Sequence, residues 1–136
     1  MKIIVLIGRI LFSLNFIMAF MSHFSAQGVG YAESMHVPMA GFLVPFSGVL
    51  AVVGGLSILL GYKAKWGAWL LVIFLIPVTF LMHAFWNVTD QMMMQMQMAI
   101  FMKNMAMLGA ALLITYFGAG PMSIDGMAQK NSQEAI

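Results

Sequence analysis

The sequence predicts an all-α integral membrane protein: a bundle of four membrane-spanning helices with both termini in the cytoplasm. Three observations carry that prediction. The 136-residue chain is 62% hydrophobic and only 7% charged, whereas soluble domains carry roughly 25% charged residues. Its apolar residues fall in four blocks, at 3–20, 39–60, 66–86 and 98–117. Each block is near the roughly 20 residues that a helix needs to cross the hydrocarbon core. Finally, the basic residues alternate between the connections. Lys2, Lys63, Lys65 and Lys130 fall before the first block, between the second and third, and after the fourth. Segments 22–38 and 87–97 hold no lysine or arginine, only Glu33 and Asp90. The positive-inside rule then puts the termini and the 61–65 turn in the cytoplasm.

The blocks must be helices, because backbone polar groups in lipid have to be satisfied within the segment. Alternation of apolar and polar residues, expected for a membrane barrel, is absent. The first helix is expected over about 3–22. Lys2 and the apolar run after it resemble the start of a secretion signal, but Arg9 interrupts the run. The sites near His23 to Ala26 lack small residues at both positions that cleavage requires, so the block is read as a retained span. Gly28 and Gly30 should break helix, with a short helical turn over 31–36. The second helix, about 39–61, starts after Pro38, a residue suited to a first turn. It carries Gly48, Gly54, Gly55 and Gly61, small residues that let neighbouring backbones approach. The third, about 66–86, is flanked by Trp66, Trp69 and Trp86 at its interfaces, and Pro77 should kink it. The fourth, about 92–118, takes Thr89 or Asp90 as its N-cap and is stopped by Gly118, Gly120 and Pro121. Residues 1–126 thus form one domain, and 127–136 a polar cytoplasmic tail without regular structure.

Composition excludes several functions. The formal charge of +2 comes from basic residues at membrane edges, so no nucleic-acid partner is expected. With no cysteine, the chain cannot itself run thiol–disulfide exchange. Ionisable residues inside the spans are the functional candidates. Arg9 lies roughly 9 Å inside the first helix, within snorkelling reach of lipid phosphates, and reads as an anchor and packing residue. Lys103 lies a similar depth inside the fourth helix from the opposite face, followed by Asn104. His83, Asn87, Asp90 and His23 belong to the same outer layer. Together these six suggest a pocket between helices that offers donors to a small ligand. Two histidines alone, His23 and His83, are thin grounds for haem. Met94, Met98, Met102 and Met105 share a helical face and would suit Cu(I). Yet 16 methionines are spread along the chain, so packing is the plainer role, and no metal site is expected.

The stretches LIGRILFSLNFIMAF, YAESMHVPMAG, GGLSILLGY, HAFWNVTD and FMKNMAMLGAALLITYFGAGPMSID span nearly the whole chain in order. They resemble the DoxX family of small four-helix bacterial inner-membrane proteins. The most specific parts are the pair Lys103–Asn104 and the ending Gly120, Pro121, Ser123 and Asp125. The resemblance implies a multi-pass protein of the inner membrane and an association with redox systems linked to quinones or thiol stress. Many relatives carry a glutamate in mid-helix 2 where this chain has Ala51. The expected function is an accessory subunit of a membrane redox system. It would bind no covalent cofactor but a quinone or lipid, beside a membrane or periplasmic redox partner. The alternative is a non-enzymatic transporter or lipid- and anion-binding bundle acting as a homo-oligomer.

Overall fold

A computed structural model describes residues 1–135. Its helices are α1 (Lys2–Met18), α2 (Phe20–His23), α3 (Ala26–Ser34), α4 (Ala40–Leu60), α5 (Ala64–Met82), a 3-10 turn (Phe85–Asn87), α6 (Gln91–Phe117) and α7 (Ile124–Glu134). Four stretches are long and apolar enough to cross a membrane: Lys2–His23, Ala40–Leu60, Ala64–Asn87 and Gln91–Phe117. They are the four spans expected from the apolar blocks. Ala19 joins α1 to α2 with helical φ and ψ, so the first span continues through both.

The spans pack in the order α1, α4, α5, α6, and the span that begins with α5 is the most enclosed of the four. Lipid supplies no hydrophobic drive for helices to associate, so close contact has to hold them together. The core is accordingly rich in alanine: Ala51, Ala64, Ala68, Ala111 and Ala119 join Phe16, Ile58, Leu71 and Leu75. A Cβ on Gly54 would stand 2.8 Å from the carbonyl oxygen of Gly67, so α4 and α5 touch backbone to backbone there. Pro45 and Pro77 lie within α4 and α5, and each removes one helical hydrogen bond.

Both chain ends and the α4–α5 turn gather at one end of the bundle, called here the terminal end. The segments α2, α3 and the 3-10 turn occupy the far end. Three expectations change. Gly28 and Gly30 do not break helix; they lie inside α3, which starts earlier than residue 31. Ser25 caps that helix by accepting from the Gly28 N–H at 3.0 Å, and glycine is required there because a Cβ would collide with the Ser22 carbonyl. The third span stops being α-helical at Met82, four residues before Trp86, and continues as the 3-10 turn. The tail forms α7 rather than an irregular chain. Ser123 caps it through the Gly126 N–H, Asp125 sits in its first turn, and Lys130 pairs with Glu134 one turn on.

Replacing Gly54 by valine should lower the unfolding midpoint in detergent by the equivalent of about 1–3 kcal/mol, because the α4–α5 contact leaves no room for a side chain. Thermal aggregation of the purified variant beside the parent measures it.

Candidate functional site

At the terminal end, Arg9 ties the first helix to the ends of α4 and α6. It is buried, and its guanidinium turns inward to four backbone carbonyls. Nε donates to Leu59 at 3.2 Å, one terminal nitrogen to Ala119 at 3.1 Å and Pro121 at 3.4 Å, and the other to Met122 at 2.7 Å. Leu59 lies in the last turn of α4, and residues 119–122 follow the end of α6. Helix C-termini carry partial negative charge and unpaired carbonyls, so a cation between two of them is satisfied without a carboxylate.

The following residues close the same end. The two carboxylate oxygens of Asp125 accept from the backbone N–H groups of Lys63 (2.9 Å) and Ala64 (3.0 Å), capping α5 from across the chain. The Asp125 N–H returns to the Gly61 carbonyl at 2.8 Å. Gly61 is left-handed, with φ +66°, and lies directly against Ser123. Gly120 and Pro121 form the bend that delivers these carbonyls to Arg9. Beside this knot is an open cavity of about 620 Å³ that includes Lys63, Lys65, Trp66 and Gln129 in its wall.

At the far end the six candidates separate. Lys103 faces outward while its neighbour Asn104 is buried, since consecutive helical residues point about 100° apart. Asn87 is exposed at the end of the 3-10 turn. Asp90 is the N-cap of α6, accepting from the Met93 N–H at 2.8 Å. His83 belongs to a hydrogen-bonded relay whose other members sequence reasoning missed. Its Nδ1–H donates to Gln97 Oε1 at 2.8 Å, Gln97 Nε2 donates to the Tyr31 hydroxyl at 2.7 Å, and that hydroxyl reaches the Met82 carbonyl at 3.4 Å. Gln97, 6% exposed, ties α3 and α5 to α6. Its signal was present in the sequence: it is a polar residue two turns inside the fourth helix, opposite His83 in an antiparallel pair.

Of the six, His23 lines a cavity. This space of about 210 Å³ lies between α2, α4 and α5, with walls that include Val44, Leu50, Phe74, Pro77 and Met82. Phe46, Ile73 and Leu81 line it and are also exposed on the outer surface, so its mouth opens sideways toward lipid. The His23 ring packs on Phe74, 5.5 Å between centroids, and its Nδ1 lies 2.9 Å from the Ala19 carbonyl. That bond requires the proton on Nδ1 and leaves Nε2 of the neutral ring as an acceptor. Pro77 has no N–H to donate to the Ile73 carbonyl, and both residues line the cavity. Gly48 makes room for His23; a Cβ there would stand 2.6 Å from the histidine Cβ.

Met98, Met102 and Met105 face outward rather than into the bundle. Among the described residues no three His, Asp or Glu side chains gather as a metal site. Ala51 is fully buried in the core.

Four apolar spans, tied at one end by an arginine–carbonyl knot and opened at the other by a lateral cavity, define a small multi-pass helical membrane protein. Residues 4–84 match the model of the DoxX family. The chain is also similar to inner membrane protein YqjF of Escherichia coli (strain K12), 34% identical over 128 residues, which cover 93% of this chain and 92% of that protein. It belongs to the DoxX family, and its spans agree with a multi-pass protein of the bacterial inner membrane. No solved structure matches it.

Arg9→Met should destabilise the bundle by at least about 3 kcal/mol, since several carbonyls lose a charged donor. Arg9→Lys should fall between it and the parent, because an ammonium keeps the charge but not the planar fork. Denaturation midpoints in mixed detergent micelles give the order.

Proposed function

We propose that the protein holds an amphipathic membrane ligand, a quinone or a lipid, in the far-end cavity beside His23. In this reading it serves as an accessory subunit of a membrane redox system, and a partner protein carries out electron transfer. The observation that carries the reading is the cavity itself: almost wholly apolar walls, a mouth facing lipid, and one histidine with a free ring nitrogen. Such a site suits a ligand with an apolar body and a hydroxyl or carbonyl group. Neutral His23 accepts from a hydroxyl, as on a reduced quinone or a glycerol backbone. Protonated, it donates to a carbonyl. Lys103, Asn104 and His83 leave the ligand-contacting set in this reading, and the His83–Gln97–Tyr31 relay becomes a brace that ties α3 to α6.

The non-enzymatic alternative is lipid and anion binding. It draws on the terminal-end cavity, where Lys63 and Lys65 would face an anionic headgroup.

An organic extract of the purified protein tests both. A stoichiometric quinone supports the redox reading, phospholipid alone supports the alternative, and an extract with neither overturns both. His23→Leu should reduce retained ligand roughly fivefold, the worth of about one hydrogen bond. Lys103→Met, outside the cavity, should leave it unchanged. For orientation, a periplasm-active reporter joined to the C-terminus should be silent; activity there would reverse the assignment of the termini to the cytoplasm.

A further inference from the structure

On α1, Ile4, Gly8, Leu11, Asn15 and Met18 recur in steps of four, three, four and three, and Ser22 continues the series in α2. All six are exposed, on the face turned away from the buried Arg9, Ser13 and Phe16. The large members stand well out of the bundle: Ile4 is 67%, Leu11 66% and Met18 64% exposed. Steps of three and four mark any single face of an α-helix, and Ile7, Leu14 and Met21 beside it are exposed as well, so the distinguishing feature of this face is which residues it carries.

Two members of the series do not suit lipid. Asn15 lies roughly 20 Å from Lys2 along the helix, well inside the hydrocarbon layer. Its Nδ2 donates to the thioether of Met107 on α6 at 3.1 Å. A thioether is a weak acceptor. The second N–H and the carbonyl oxygen of the amide have no hydrogen-bond partner among the described residues. Gly8, two turns below on the same seam, has no atom within 4 Å of where a Cβ would be. Nothing inside this chain fills that space: Gly8 lines an open cavity of about 270 Å³ beside Leu113 and Ile114 of α6, and a glycine there leaves the backbone open to close approach.

We infer that this face of α1 is the contact between two copies of the chain, with Asn15 paired to Asn15 of the second copy across a two-fold axis normal to the membrane. Copies related in this way share one orientation, so α1 meets α1 in parallel and each residue faces its own counterpart at the same depth. A carboxamide carries both donors and acceptors and is therefore complementary to itself. A different partner would need its own polar group at that depth, whereas a second copy supplies it by symmetry. The 4-3 spacing gives a left-handed crossing near 20°, Gly8 lets the backbones close below the amide pair, and Leu11 and Met18 fill the seam around it. A single polar residue at such a seam also fixes the register. The contact assigns a surface to the homo-oligomer expected from the sequence and is independent of any ligand in the cavity.

The chain has no cysteine, so single introduced cysteines report without background. In native membranes, Leu11→Cys and Met18→Cys should each form disulfide-linked dimers on mild oxidation. Ile7→Cys and Leu14→Cys, exposed on the neighbouring face, should not. Adding Asn15→Val to Leu11→Cys should lower the dimer fraction, consistent with association weakened on the order of 3- to 10-fold. Adding Asn15→Gln should restore most of it. Equal cross-linking at all four sites, no cross-linking on the seam, or a product whose mass shows a different protein would each overturn the contact. An Asn15→Val variant that cross-links as fully as the parent would remove the amide pair from it. Helical content by circular dichroism, unchanged in each variant, keeps a folding defect from imitating a negative result.

Discussion

A guanidinium held between two helix ends organises this bundle. Arg9 gathers carbonyls from the last turn of α4 and from the bend after α6, so three of the four spans are referred to a single side chain. The arrangement avoids a buried carboxylate. An ion pair would bring a second desolvated charge into the membrane, whereas helix C-termini offer partial charges and carbonyls that are unpaired in any case. Asp125 mirrors it with the opposite sign, placing a carboxylate where α5 begins and its N–H groups are unpaired. Cation at C-termini and anion at an N-terminus lie within one layer, and both follow the same rule about unfinished helix ends.

The two ends of the molecule are built differently as a result. The terminal end is fixed by short, directional, partly charged bonds. The far end relies on packing, an aromatic cluster of Phe80, Phe85, Trp86 and Phe101, and the neutral His83–Gln97–Tyr31 relay. Pro45 and Pro77 weaken the α4 and α5 ladders, and Pro77 lies in the wall of the far-end cavity. The charged knot and the lateral cavity thus lie at opposite ends of the bundle.

The spans were legible because they follow from length and hydropathy, which lipid enforces residue by residue. Asp90 was legible as a cap for the same local reason. What escaped depends on direction rather than depth. Lys103 and Asn104 share a depth and so looked like one site, yet adjacent helical positions face apart. Arg9 has the length to snorkel, and only the tertiary arrangement shows carbonyls nearer than lipid. Gly28 looked like a breaker because its reason for being glycine, the Ser22 carbonyl against it, belongs to another helix. The residues 127–134 read as unstructured from polarity alone, although the Ser123 and Asp125 signal for a helix start was in the sequence.

The Asp125 contact also has a meaning in time. A chain made from its N-terminus inserts α4 and α5 long before residue 125 leaves the ribosome. Until then the first N–H groups of α5 can be held only by interfacial water, and Arg9 lacks three of its four carbonyls. Residues 119–125, made after the four spans, are therefore the stretch that locks α1 to the α4–α5 hairpin. Closure of the bundle is a ring-closing event, complete only when the segment after α6 reaches α1.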